Sequence, residues 1–362
     1  MSARPVLILA GGTGGHVYPA LEVARVLGQR MIPVHWLGGG SGIETRLVPA
    51  AGIPFIALPG RGIRGTGVLN RLVALPRLVF AVIRAGGIIR CLQPRVVIGF
   101  GGYASGAGGL AARLAGYPLV VHEQNAVAGL TNRVLARLGA RLLQGFPGAF
   151  ARDAELTGNP VRESISRIAP PGKRMHGRRG PLRLLVMGGS QGAQALNEVV
   201  PAALAMIVPA FEVLHLAGAA QAEATVQRYR EAGVGARVRA YESDMSSAYA
   251  WADLAIARAG ALTLAELCAA GLAAILVPYP TAADDHQSAN AEVLVAARAA
   301  RVLPQSRLTP AALAALLREL TDDAGERKRL ITMAGHARDL AGPHAGEKVA
   351  LAVLAVAGEA GR

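Results

Sequence analysis

The stretch Gly11 to Ala20 reads GGTGGHVYPA and follows at once on an apolar run, Val6–Ala10. Four glycines, a hydroxyl and a histidine therefore stand where a strand hands over to a helix. One or two glycines suffice for a tight turn. Four point to a backbone that must come close to a ligand, with helix-start N–H groups offered to an anion or a developing charge. Thr13, Gly14 and Gly15 are the binding candidates. His16, whose side chain titrates near neutrality, is a candidate general base. The pattern is not the dinucleotide fingerprint, because no glycine stands at position 17, and no Lys-Ser/Thr follows as in a P-loop.

Further stretches have the same character. GGSQG, Gly188 to Gly192, follows Leu184–Met187 and offers Ser190 and its neighbouring amides to phosphate. A third glycine cluster, Gly101 to Gly109, follows Val96–Gly99 and is too glycine-dense to be only a turn. His122-Glu123-Gln124-Asn125 closes another apolar run, where polar side chains of a parallel strand line a site. Arg258 to Glu266 reads RAGALTLAE. Thr263 and Glu266 match the capping box S/T-x-x-E, a purely structural reading. Equally, the carboxylate could accept both hydroxyls of a ribose. Asp284-Asp285-His286-Gln287 with Asn290 opens a further helix, and these residues do not form a metal motif.

These turns need elements to hold them. Short, nearly continuous apolar runs alternate with helical patterns along the whole chain, as in parallel sheets buried on both faces. The predicted strands are Val6–Ala10, Val34–Leu37, Pro54–Leu58, Val96–Gly99, Leu119–His122 and Arg141–Gln144. In the second half they are Leu182–Met187, Glu212–Leu216, Val238–Tyr241, Leu254–Ala257 and Ala274–Val277. Such alternation gives α/β units, here two Rossmann-like, doubly wound domains facing a central cleft. The domains are expected at residues 1–162 and 163–342, with a last helix, 343–362, packing back on the first. The basic Pro/Gly stretch from Pro170 to Pro181 reads as a linker.

The 362 residues are 52% hydrophobic, with a mean hydropathy of +0.35, yet no apolar run is long enough to span a bilayer. Two cysteines without metal or redox spacing and the lack of signal-peptide order suggest a cytosolic or peripheral protein. The net charge of +14 is lopsided: residues 1–180 hold 22 of the 38 Lys+Arg but 6 of the 24 Asp+Glu. An anionic partner for the first half follows: membrane, nucleic acid or a polyphosphate ligand. Val68 to Leu92 is an apolar helical pattern carrying Arg71, Arg77, Arg84 and Arg90. It is either an interfacial helix with snorkelling arginines or an ordinary amphipathic surface helix.

Taken together, GGTGGHVYPA, GGYxSGxGG from Gly101, HEQNxxxGLTNR from His122, GNPVR from Gly158, GGSQGA from Gly188, RxGAxT…E from Arg258 and DxHQxxNA from Asp285 resemble the MurG family. The resemblance runs in order from Val6 to at least Asn290. It implies a GT-B fold and an inverting transfer of GlcNAc from UDP-GlcNAc to the 4-hydroxyl of the muramyl pentapeptide of lipid I. The product, lipid II, serves peptidoglycan synthesis, and with it cell-wall growth, shape and division. By motif, Thr13, Gly14 and Gly15 fall near the donor sugar and diphosphate, Asn125 on the GlcNAc, and Arg162 and Ser190 on the diphosphate. Ala261, Leu262, Thr263, Leu264, Ala265 and Glu266 hold the nucleoside, with Glu266 on the ribose, and Gln287 reaches the sugar. The family's uracil contact falls near Glu242, an acidic residue where an aliphatic one can stand.

His16 is the expected base and Glu123 the weaker candidate, with no cofactor and no metal. The implied partners are the anionic membrane surface and cell-wall synthesis proteins, at the cytoplasmic face of the bacterial inner membrane. The rival readings are a UDP-GlcNAc 2-epimerase-like enzyme and a basic nucleic-acid-binding module. Only 4% aromatic content and no nucleic-acid motif weigh against the last.

Overall fold

A computed structural model describes residues 4–59, 68–189, 192–207, 211–280, 285–321 and 326–359, with residues 68–75, 326 and 359 described by backbone alone. The chain divides into two compact units, Met1–Arg162 with His344–Arg362, and Glu163–Pro343.

In the first unit the elements are β1 (Val6–Leu9), α1 (Gly14–Gln29), β2 (Val34–Gly39), α2 (Glu44–Ala50), β3 (Phe55–Leu58) and α3 (Val68–Leu92). There follow β4 (Val96–Gly99), α4 (Gly102–Leu114), β5 (Leu119–Glu123), α5 (Leu130–Arg137), β6 (Arg141–Gln144) and β7 (Glu155–Leu156). The sheet is parallel throughout, in the order β3-β2-β1-β4-β5-β6-β7. Alternate residues of the central strands serve opposite layers, which is why these strands are apolar without a break. Val6, Ile8, Val96 and Ile98 pack with Val17, Ala20 and Leu27 of α1. Leu7, Leu9 and Val97 pack with Ala81, Ala85 and Ile89 of α3, Ala107 and Ala111 of α4 and Leu135 of α5.

The second unit holds α6 (Glu163–Ser166), α7 (Pro171–Arg174), β8 (Arg183–Met187), α8 (Gln194–Leu204), β9 (Glu212–Leu216), α9 (Ala222–Glu231) and β10 (Ala236–Arg239). It continues with α10 (Met245–Trp251), β11 (Leu254–Ala257), α11 (Ala261–Ala270), β12 (Ala273–Leu276), α12 (His286–Ala296), β13 (Ala300–Val302), α13 (Pro310–Thr321) and α14 (Glu326–Asp339). Its parallel sheet runs β10-β9-β8-β11-β12-β13. The last helix, α15 (Ala345–Glu359), belongs to the first unit. There Val349, Ala350 and Val353 enter the α1 layer and Glu347 pairs with Arg30 at 2.8 Å.

Several details depart from the sequence reading. β7 and β13 are short edge strands with too few apolar residues to signal themselves. β10 begins at Ala236, two residues before the expected start. The Pro170–Pro181 stretch is no linker. Pro171 and Met175 are buried, and Arg174 donates to the carbonyls of Tyr249, Ala270 and Gly271. Arg178 donates to Ala250 and Trp251 and pairs with the buried Asp253 at 2.6 Å. These arginines satisfy the carbonyls left open at the ends of α10 and α11, as basic side chains at helix C-termini do.

Candidate active site

In each sheet the strand order reverses between the first strand and its fourth, and the carboxyl ends of those two strands are where open α/β sheets take their ligands. In the first unit these are β1 and β4, so the GGTGGH turn and the Gly101 cluster meet there. Gly12, Gly101 and Gly102 all take positive φ (+92°, +96° and +79°). A side chain at Gly102 would crowd the Gly11 carbonyl and the His16 ring, and one at Gly101 would lie 3.1 Å from His16 Nε2. The density of the third cluster has a second cause. Gly108 and Gly109 let α4 close on Leu9 and Leu135, so part of that cluster serves packing.

Thr13 is the N-cap of α1 in extended conformation, and no side chain caps the helix. Thr13 is exposed, and Gly14, Gly15 and His16 are half-buried. His16 Nδ1 lies 3.3 Å from the Gly11 carbonyl and 3.5 Å from Thr13 Oγ1. A carbonyl only accepts, so that contact requires the proton on Nδ1.

At the end of β5 the polar quartet divides. His122 and Gln124 are buried and act inside the unit. His122 Nε2 donates to the Gly158 carbonyl at 3.0 Å, and its Nδ1 accepts from Gln124 Nε2 at 3.0 Å. Burial pushes the His122 imidazole down to about 4, so it is neutral at working pH. Asn159 Nδ2 donates to the Gln124 carbonyl at 2.9 Å, which ties the GNPVR segment to this strand end.

Glu123 is also buried. Its Oε1 accepts from the Asn125 amide and Asn125 Nδ2, and its Oε2 from the Gly129 amide and Asn132 Nδ2, at 2.8–3.0 Å. The carboxylate thereby orients the half-buried Asn125. Arg162 stacks its guanidinium over the Tyr18 ring of α1, 5.4 Å from the centroid, which brings it to the GGTGGH helix.

In the second unit the reversal lies between β8 and β11. Ser190 and Asp284 lie outside the described residues, as does the side chain of Arg71 in α3. Gly192 has φ +77°, and a Cβ there would sit 2.0 Å from the Ala217 carbonyl, so only glycine closes this turn. Beneath it Asn197 Nδ2 donates to the same carbonyl, and Asn197 Oδ1 meets His215 Nε2, whose Nδ1 meets the Tyr229 hydroxyl, each at 3.0 Å. Burial pushes His215 down to about 3 and the Tyr229 hydroxyl upward.

α11 begins at Ala261 with Gly260 as its N-cap and no side-chain cap bond. Thr263 is therefore inside the helix, and the Thr263–Glu266 capping box does not form. Glu266, 6% exposed, instead accepts the Tyr249 hydroxyl at 2.9 Å on Oε2. Ala261 and Leu264 are buried, while Leu262, Thr263 and Ala265 are half-buried. Gln287 Oε1 accepts from the Ala259 and Tyr279 amides at 3.2 and 2.9 Å, which fixes the orientation of the side-chain amide. Arg258 donates to the Val277 and Pro278 carbonyls and to Gln305, and burial lowers its guanidinium from the ordinary value. The Glu242 side chain is occupied by an ion pair with Arg239 and by the Asp244 amide.

Sequence reasoning passed over Glu44, which is fully buried against the GGTGGH turn. Its signal was the glycine run Gly38-Gly39-Gly40-Ser41-Gly42 that ends two residues before it. Tyr249, the partner of Glu266, had no signal of its own.

The description "Glycosyltransferase family 28 N-terminal domain" matches residues 6–144, and "Glycosyltransferase family 28 C-terminal domain" matches residues 183–341. A protein of Xanthomonas campestris pv. campestris (strain B100) is 52% identical over 361 residues, 99% of this chain and 83% of its own length. It is named UDP-N-acetylglucosamine--N-acetylmuramyl-(pentapeptide) pyrophosphoryl-undecaprenol N-acetylglucosamine transferase. The protein of the same name from Xylella fastidiosa (strain M12) is 50% identical, covering 97% of this chain and 96% of its own. The crystal structure of Acinetobacter baumannii MurG aligns with a TM-score of 0.84 at 38% identity, over 97% of this chain and 99% of that one. The calicheamicin glycosyltransferase CalG4, at 18% identity and a TM-score of 0.68, shares the fold. With both domains matched and half of its residues identical to the Xanthomonas and Xylella relatives over nearly its full length, the chain belongs to the MurG family of family 28 glycosyltransferases.

Proposed function

We propose that the chain transfers GlcNAc from UDP-GlcNAc to the 4-hydroxyl of the muramyl pentapeptide of lipid I, forming lipid II. The observation that carries this is the 50–52% identity to enzymes of that name over 97–99% of the chain. An α-linked donor giving a β-linked product requires in-line attack. The acceptor oxygen bonds to C1 of the sugar as the C1–O bond to the diphosphate breaks, and UDP leaves with the electron pair. The acceptor proton goes to a base.

His16 is our base: it stands in the GGTGGH turn, and with the proton on Nδ1 toward the Gly11 carbonyl the imidazole accepts a proton at its other nitrogen. Glu123 is the weaker candidate, since four N–H donors already hold its carboxylate. Charge growing on UDP is met by the α1 amides of Gly14 and Gly15 behind Thr13, by Arg162 and by Ser190. Asn125 takes the GlcNAc, Gln287 the sugar, and Ala261–Glu266 the nucleoside, with Glu266 on the ribose.

We assign the first unit to the membrane surface where the acceptor lies. Val79, Phe80 and Ile83 of α3 are exposed, at 50%, 57% and 68%, beside the exposed Arg77 and Arg84. Ala81, Ala85 and Ile89 on the same helix are buried. The first unit holds 19 Lys+Arg against 7 Asp+Glu, an excess suited to anionic lipid. Among the described residues no helix is long and apolar enough to cross a membrane.

The test is to incubate the protein with sugar-labelled UDP-GlcNAc and a lipid I analogue. A labelled disaccharide-lipid is expected. No product with the acceptor, or an epimerised sugar nucleotide without it, would overturn the reading.

A further inference from the structure

Glu44 has no place in the reaction just described, yet its surroundings are specific. It opens α2, thirty-odd residues from the GGTGGH turn, and its side chain is fully buried. Oε2 accepts the Gly12 amide at 3.0 Å and Oε1 the Gly39 amide at 3.1 Å. Four glycines wrap it. A Cβ at Gly11 would lie 2.6 Å from the carboxylate, one at Gly42 2.0 Å, and those at Gly38 and Gly39 3.0 Å from the side chain. The glycines of the β2–α2 turn thus make room for this carboxylate.

The Gly12 N–H and the Gly11 carbonyl belong to one peptide group. Glu44 holds that group at its N–H, and His16 Nδ1 holds it at its oxygen, 3.3 Å away. A carboxylate pulling on the N–H makes the carbonyl of the same planar amide a stronger acceptor, because hydrogen bonds in series polarise one another. We infer that Glu44 is a positioning residue for His16 and acts through the Gly11–Gly12 peptide. It fixes the Nδ1–H tautomer and stabilises the imidazolium formed when the proton arrives. A carboxylate bonded directly to Nδ1–H does the same work in hydrolytic triads. Here one peptide stands between them. The proton moves from the acceptor hydroxyl to Nε2, and the other proton stays on Nδ1, donated to the Gly11 carbonyl throughout.

Other ionisable groups lie on the elements around the turn. Arg46 is exposed on α2, the Glu22–Arg25 pair lies along α1, and Arg162 stacks on Tyr18. Tyr103 at the start of α4 donates to Pro59, and Glu123 keeps its four donors. Glu44→Gln leaves all of these in place and removes one charge from the chain of contacts to His16.

This inference rests on His16 as the base, and the experiment separates the two. In Glu44→Gln, kcat should fall about tenfold with the KM for UDP-GlcNAc little changed. The acidic limb of the kcat profile should move to lower pH by about half a unit or more, since an opposing charge no longer favours the imidazolium. Added to His16→Ala, Glu44→Gln should change kcat less than about twofold, as coupled residues do. A multiplicative loss in that background, or an unmoved limb, would overturn it.

Titration of isotope-labelled His16 by NMR reads the link without turnover. Its midpoint should fall in Glu44→Gln, and an unchanged midpoint removes the link even if His16 proves to be the base. If His16→Ala retains near-normal turnover, the base assignment fails while the titration still decides the contact. Should Glu44→Gln not fold, the unaltered protein suffices. The Gly12 amide signal must track the His16 titration and the neutral imidazole must be the Nδ1–H tautomer; a static Gly12 signal or the other tautomer refutes the inference.

Discussion

The Tyr249 hydroxyl donates to Glu266 Oε2 at 2.9 Å, so the carboxylate assigned to the ribose is aimed by a side chain of α10. Both residues are buried, and Tyr249 belongs to the helix whose terminal carbonyls Arg174 and Arg178 hold. Removing one neutral-to-charged hydrogen bond costs about 1.5–3 kcal/mol when the acceptor stays buried. Tyr249→Phe should therefore raise the KM for UDP-GlcNAc about tenfold with kcat nearly unchanged. Steady-state kinetics check this, and a fall in kcat alone would place the contact elsewhere in the cycle.

His16→Ala should lower kcat by about a hundredfold or more, the usual contribution of a positioned acid–base group. UDP binding by calorimetry should stay within about twofold. Near-normal turnover would take proton abstraction away from His16.

Phe80→Ser with Ile83→Ser should weaken binding to vesicles containing anionic lipid about tenfold or more. Each exposed large side chain brings roughly 1.5–3 kcal/mol if it buries in the interface. Turnover of a short-chain, detergent-free acceptor analogue should be unchanged. Equal binding of the parent protein to neutral and anionic vesicles would remove the charge part of the assignment.

Acid should destabilise both units before the carboxylates titrate. His122 and His215 are held neutral by burial, down to about 4 and about 3. In the unfolded chain each binds a proton near pH 6.5. Below that pH protons favour the unfolded state, so the stability is complete above about pH 6.5 and is lost as pH falls toward those lower values. Between pH 6.5 and 5 each unit should lose about 2 kcal/mol. Calorimetric Tm values over this range test it, and a flat Tm from pH 7 to 5 would contradict it.

Local chemistry made much of this protein readable from its residues. A strand buried on both faces is apolar along most of its length, and a glycine turn into a helix needs a few adjacent residues. Val6–Leu9 with GGTGGH and Arg183–Met187 with Gly188–Gly192 therefore declare two open parallel sheets through neighbouring residues alone. The short edge strands β7 and β13 escaped because an edge needs little apolar surface.

What the sequence could not determine were partnerships between distant segments. Thr263 and Glu266 have capping-box spacing, but packing starts α11 at Ala261, so Glu266 turns to Tyr249 instead. The Pro170–Pro181 run has linker composition, but its arginines found open helix carbonyls some seventy to a hundred residues away along the chain. Glu44 is an ordinary helix-start glutamate until β2 pairs with β1 and sets the two strand-end turns side by side. Residue types name which groups can bond. Only the tertiary structure decides which bonds form, because a buried polar atom takes whichever partner the packing brings within about 3 Å.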